Sequence, residues 1–322
     1  MIDTAACIHR VQEAGGQTEG TDTLKQIAAT WSRWASVRRP SPIAAAYDLS
    51  RPDFVEDLLP FRDHPQFEAA SYELRQQVLA CGWLAYNEKT VDIESKVVSP
   101  ACLHIIDGDL PRLDREQHRE TAAQAQVDES YHILLIVNAC RVAREARGLT
   151  HLRLPQFELI RRMHRLQDQH PQDWQRVLIQ LACAIVSEIM VSDYLRLLSE
   201  SDDLQPLNRL TTELHRRDES VHNAIFRSLG LEIHQSLSHS ERRFFLEMLS
   251  RPAAWFASAE LDVWESMLQQ IGFPNAKRMI GDIRDAEQES CIDLDLTTFE
   301  ALYESLEHRC AAEASLVYGG QP

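Results

Sequence analysis

Glycine and cysteine pairs are what this sequence has least of. Its 322 residues include 11 glycines, and long stretches run without glycine or proline. That argues against a sheet-and-turn protein and for long helices. The seven cysteines (Cys7, Cys81, Cys102, Cys140, Cys183, Cys291, Cys310) are odd in number, scattered, and form no C-x-x-C pair. A disulfide framework is excluded on that pattern, and a reducing cytoplasm is the expected location. No long apolar run is present either: Ile133–Val137 is far short of a bilayer span, and the charged N-terminus has no signal-peptide core. A soluble protein is expected. Excess positive charge is also missing. The formal net charge of −16 excludes the basic stripe of a nucleic-acid surface and attraction to an anionic membrane.

Hydrophobic residues make up 44% and charged residues 25%, enough for a large core in one domain. Residues 1–22, with three glycines among polar side chains, read as a flexible N-terminus, and 23–322 as a single helical domain. Leu24–Arg38 reads as a first helix stopped at Pro40, and Asp53–Leu59 as a short acidic one. Four helices are long enough for a bundle with inward-facing ligands: about 65–106, 115–147, 173–199 and 204–229, the last ended by Gly230. Shorter helices are expected at 155–169, 240–270 (broken at Pro252), 275–285 and 297–318.

Two pentapeptides carry chemistry: Asp128-Glu129-Ser130-Tyr131-His132 and Asp218-Glu219-Ser220-Val221-His222. Residues three apart share a helix face, so each Glu/His pair converges on one point. In carboxylate-bridged di-metal bundles two helices each supply E-x-x-H and two others a lone Glu. Between Glu94 and Asp128 lie 33 residues, and between Glu188 and Asp218 lie 29, so the chain repeats a helix pair. One D-E-x-x-H is weak evidence; two copies at matched spacing are not. Glu188, between Ala184-Ile185-Val186 and Ile189-Met190-Val191, is expensive to bury unless it binds metal or pairs with a buried arginine. Glu94 has more polar neighbours, for which a solvated helix face is the alternative. His215 shares the face of Glu219 and His222 by its offsets of four and seven, and competes with a plain exposed histidine. Asp128 and Asp218 point about 100° away from the ligand positions. They are expected either to accept a hydrogen bond from a ligand histidine of the neighbouring helix or to form ordinary salt bridges, Asp218 with Arg216 or Arg217.

Carboxylates and imidazoles without thiolates suit two iron ions, or manganese, and not structural zinc. The repeated pattern, with an added histidine seven residues before the last, resembles the p-aminobenzoate N-oxygenase family over roughly residues 80–230. These are di-iron enzymes that oxidise arylamines in aureothin- and chloramphenicol-type pathways. The resemblance implies a ferritin-like or ribonucleotide-reductase-like all-α bundle with flanking helices and metal ligands Glu94, Glu129, His132, Glu188, His215, Glu219 and His222. The third histidine separates this family from di-iron hydroxylases, desaturases and reductase subunits. It implies O2 as co-substrate, two electrons from a reductase or ferredoxin-type donor, and stepwise oxidation of a small-molecule amine to hydroxylamine, nitroso or nitro. Tyr86 and Lys89 lie near positions that in the family face the substrate. Where the family favours arginine this chain has Lys89, so aryl and aliphatic amines both stay open, and a surface lysine is the plain alternative. Hydroxylation or desaturation at carbon and ferritin-like storage are the competing functions. A homodimer is the base-rate expectation.

Overall fold

The computed structural model describes residues 19–38, 47–110, 115–286 and 295–318. Every regular element among them is helical. Most of the flexible N-terminus expected at 1–22, and the stop expected after Arg38, lie outside the described residues, but the first helix (α1, Glu19–Trp34) begins earlier than Leu24. The acidic segment after Asp53 is a single 3-10 turn, Glu56–Leu58.

The stretch expected as one helix over 65–106 is broken. A one-turn helix α2 (Pro65–Glu68) ends, and α3 (Tyr72–Ile93) starts anew because the Ser71 hydroxyl accepts from the Leu74 N–H at 3.3 Å. A π-helical turn, Glu94–Val98, follows at once, and α4 (Ser99–Asp107) closes on left-handed Gly108. The other three long helices of the expected bundle are α5 (Glu116–Ala146), α7 (Asp173–Met190) and α9 (Pro206–Ser236), with α6 (Glu158–Gln169) before α7. The helix expected over 173–199 gives way at Val191 to α8 (Ser192–Glu200). The expected stop at Gly230 is not one: α9 runs on to Ser236. A Cβ on Gly230 would lie 3.5 Å from Ile185 and 3.6 Å from Leu302, in ordinary contact, so the glycine is an interior helix position facing two neighbouring helices and not a cap. The rest are α10 (His239–Leu249), α11 (Pro252–Phe256), α12 (Leu261–Gln270), α13 (Ala276–Asp285) and α14 (Thr297–Tyr318).

Two apolar cores stabilise the bundle, and the helices cross from one to the other. On α5, Ala122 and Ala125 belong to the first core and Ile136, Ala139 and Cys140 to the second. On α9 the order reverses: Leu207 lies in the second core and Ile225, Phe226 and Ile233 in the first. The stretches between, Asp128–His132 and His215–His222, therefore lie in one buried polar layer with apolar packing above and below. Each fully buried Leu, Ile or Phe contributes roughly 1.5–3 kcal/mol, and together they offset the charge burial in that layer. The α7–α8 stretch Asp173–Glu200 is long and apolar enough to cross a bilayer, but 76% of its apolar window is buried inside the protein. Its apolar side chains pack into the first core, among them Leu178, Ile179, Ile185 and Val186.

Candidate metal centre

The polar layer gathers all seven side chains singled out by the repeated pattern, each 3% exposed or less. Helical spacing accounts for this. On α5 and α9 the buried positions recur every three or four residues, and the Glu and His of each E-x-x-H occupy that same inward stripe. Glu94 opens the π turn, a wider coil that is frequent at functional sites. Glu188 stays in regular helix, two residues before α7 ends.

Two groups of atoms converge. Glu94, His132, His215 and Glu219 each offer one ligand atom within 4.8 Å of the others, and so do Glu129, His132, Glu219 and His222. His215 Nε2 is 3.0 Å from Glu219 and 3.1 Å from Glu94. His222 Nδ1 is 2.9 Å from Glu129, 3.4 Å from Glu219 and 3.5 Å from Glu188. The neighbour of Glu188 is thus an imidazole and not a buried arginine. His132 Nδ1 lies 3.4 Å from Glu219 and 3.6 Å from Glu129. Within the protein the two Nδ1 atoms and both oxygens of Glu94 and of Glu129 lack a well-formed hydrogen bond. Buried polar atoms left so are costly, and cations shared between them would satisfy all at once. The donor set fits two divalent ions with hard and borderline preferences.

Charges in the layer are strongly perturbed. Burial raises the Glu94 carboxyl to about 7, against the pull of His215. Burial raises Glu188 well above the usual range, reinforced by Glu219 and Glu129. Burial also acts on Glu219, but His222 and His215 override it and hold this carboxylate well below its ordinary value. For His222 burial opposes the charged ring, yet Glu219 and Glu129 keep it well above an ordinary histidine. Without metal the site is balanced by its own protons.

The outer ring nitrogens are held crosswise. His132 Nε2 is 3.1 Å from Asp218, and His222 Nε2 is 3.4 Å from Asp128. Each aspartate sits beside the Glu of one pentapeptide and holds the histidine of the other. The salt-bridge alternative fails for Asp218: Arg216 reaches Ser199 and Glu200, and Arg217 donates to Ser36. Sequence reasoning missed the next layer. The Trp31 indole N–H donates to Asp128 at 2.8 Å, and the Ser36 N–H and hydroxyl donate to Asp218 at 3.0 and 3.1 Å. Nothing in the pattern of residues 24–38 signals this; only the docking of α1 across α5 and α9 creates it.

A cavity of about 860 Å³, its mouth included, opens beside the centre and is lined by Glu94, Glu188, His215 and Glu219. Tyr86 stacks on Tyr194 at 5.7 Å between centroids, and Tyr194 meets Phe256 edge-on at 6.1 Å. Ser187, buried and without a hydrogen-bond partner for its hydroxyl, lines the cavity as well. Lys89 also lines it, but not as a free cation: its Nζ is 2.9 Å from Glu260 and donates to the Phe256 carbonyl at 2.8 Å. Tyr194, Phe256 and Glu260 fall outside the four repeated segments or past their ligands, so no spacing rule found them.

An all-helical bundle enclosing a buried Glu/His cluster defines the class of di-metal carboxylate proteins. The family model described as P-aminobenzoate N-oxygenase AurF matches residues 17–307. A 4-aminobenzoate N-oxygenase of Streptomyces thioluteus is 32% identical over 270 residues, covering 82% of this chain and 80% of that protein. The chain belongs to the p-aminobenzoate N-oxygenase family and is an enzyme of the oxygenase class.

Proposed function

We propose that the chain is a cytoplasmic di-iron N-oxygenase, folded as one helical domain, that oxidises the amine of a small aromatic metabolite with O2 and electrons from an external donor. One observation carries this reading: a seven-residue Glu/His set with unsatisfied inward atoms borders a cavity walled by aromatic rings. The ligands would be Glu94, Glu129, His132, Glu188, His215, Glu219 and His222, with Glu219 and His132 common to both groups. Two ferrous ions bound there would supply the reduction of O2. The first oxidation balances as amine plus O2, two electrons and two protons to hydroxylamine and water; further rounds lead to nitroso and nitro.

The chain's own residues set the conditions. Asp218 and Asp128 accept the Nε2 protons of His132 and His222, which leaves each Nδ1 lone pair directed into the layer. Tyr86, Tyr194 and Phe256 present ring faces and edges for a planar amine and keep water from the centre. The unpartnered Ser187 hydroxyl, next to Glu188, is available to hold the amino group. His215 adds a third imidazole, which supports N-oxygenation over reaction at carbon.

Anaerobic loading of metal-free protein with Fe(II), an iron count, and exposure to O2 with a panel of amines tests this. Two irons per chain and an aryl hydroxylamine, nitroso or nitro product are expected. Oxygen found only on carbon would replace the reading by a hydroxylase. Fewer than one tightly bound iron, unchanged in Glu188→Ala or His222→Ala, would overturn the metal site itself.

A further inference from the structure

An ion pair that the ligand set does not use faces the same cavity. Lys89, on α3, precedes Glu94 at the start of the π turn by five residues, about 7.5 Å along the helix axis and comparable with the length of one substituted aromatic ring. Its Nζ lies 2.9 Å from Glu260 and donates to the Phe256 carbonyl at 2.8 Å. The side chains are 14% and 11% exposed, and both line the cavity with Glu94, Glu188 and His215.

Glu260 is built into place. It stands at the N-terminus of α12 in the left-handed backbone region, φ 53°, which non-glycine residues seldom occupy. Its carboxylate also accepts the Glu158 N–H at 3.1 Å. Two of the three ammonium N–H groups of Lys89 are therefore committed, and its charge has a counterion at contact. An incoming carboxylate would have to displace Glu260 or share the cation with it, and either leaves a poorly paired anion in a largely dry site. A neutral acceptor asks only for the remaining N–H.

We infer that the Lys89–Glu260 pair is a specificity-determining element that excludes anionic substrates. The cavity takes an aromatic amine whose opposite substituent is uncharged and hydrogen-bonding: an amide, ester or hydroxyl. The inference rests on the N-oxygenase reading and narrows its substrate class.

Calorimetric binding of 4-aminobenzamide and 4-aminobenzoate to iron-loaded protein kept free of oxygen tests it. The two ligands differ little in shape and by a full charge. The amide is expected to bind at least about tenfold more tightly, a difference of about 1.4 kcal/mol. Glu260→Gln removes the counterion, so 4-aminobenzoate should gain about tenfold while the amide changes by less than about threefold. Adding Lys89→Gln to that variant should abolish the gain. Wild-type protein that binds the carboxylate as well as the amide overturns the inference, and so does a Glu260→Gln variant with an unchanged ratio. The wild-type comparison stands even where a variant fails to fold. A reversed preference leaves the N-oxygenase reading intact, whereas protein that neither binds nor oxidises any aromatic amine overturns both.

Discussion

The two helix pairs that build the centre match almost position for position. Along α5 and α9 the buried residues stand in the same register: Asp128 with Asp218, Glu129 with Glu219, His132 with His222, Leu135 with Ile225, Ile136 with Phe226. The pairs also exchange support, since each aspartate holds the other pair's histidine. Against that symmetry two differences matter. The register that holds His215 on α9 holds Ala125 on α5. The lone Glu also differs: Glu94 opens a π turn, whereas Glu188 lies in regular helix two residues before its end. The asymmetric groups His215, Glu94 and Glu188 line the cavity, together with Glu219, whereas Ala125, Glu129 and His132 do not. The duplicated register builds the buried Glu/His layer, and its departures from duplication face the cavity.

The largest effect should come from breaking what the two halves share. Glu219 belongs to both converging groups, so Glu219→Ala should reduce iron from two to below one per chain and activity to background, read by metal analysis and product formation. Retention of two irons would mean that the halves bind independently. Removing the asymmetry comes next. His215→Ala makes α9 resemble α5; it should keep two irons per chain but slow amine oxidation about 10–100-fold, the range for losing a group that tunes a metal site. An unchanged rate and iron titration would show that His215 is no ligand.

The crosswise aspartates test the symmetry itself. Asp128→Asn and Asp218→Asn should each weaken iron binding about 10–100-fold. Asp218, which also takes two bonds from Ser36 where Asp128 takes one from Trp31, should show the greater loss. Competition with a chromophoric chelator measures both, and equal losses would make the N-terminal support irrelevant. Proton linkage is a further handle. Metal can bind Glu94 only after its proton leaves, and in the metal-free site that carboxyl titrates near about 7. Below that pH loading competes with protons, so apparent iron affinity should rise with pH through about 7, by at most about tenfold per unit for each proton released, and the raised Glu188 and His222 extend the rise above it. Loading that is flat from pH 5.5 to 7.5 would sink this account.

The centre was legible in the sequence and its surroundings were not. The candidate residues obey a helix period that survives translation from text to coil, so Glu94, Glu129, His132, Glu188, His215, Glu219 and His222 emerged from spacing and family pattern; six of them form the two converging groups, and Glu188 lies beside His222. For Asp128 and Asp218 the sequence offered two partners, a histidine of the neighbouring helix or an arginine salt bridge, and the crossing of α5 and α9 selects the histidine. Trp31, Ser36 and Glu260 reach the site through tertiary docking of distant segments, and no local period encodes that. Helix ends misled where one residue type serves two purposes. Ser71 reads as an ordinary helix residue until its hydroxyl caps α3, and Gly230 reads as a stop although α9 continues through it.

Gly230 allows the finest cut at the comparison. Its counterpart in register on α5 is Cys140, buried against the second core, while Gly230 lies where α9 meets α7 and α14. A glycine inside a helix destabilises it by roughly 0.5–1 kcal/mol relative to alanine, through the backbone freedom it gives the unfolded chain. The space at Gly230 is open enough for ordinary contact, 3.5 Å from Ile185 and 3.6 Å from Leu302. Gly230→Ala should therefore stabilise the protein by about 0.5–1 kcal/mol, measured by urea unfolding of the metal-free form, and leave iron content unchanged. A loss of stability instead would show that α9 presses on α7 more tightly than those distances imply. The second helix pair would then owe its geometry to a missing side chain, and the first pair, with Cys140 in that place, would not.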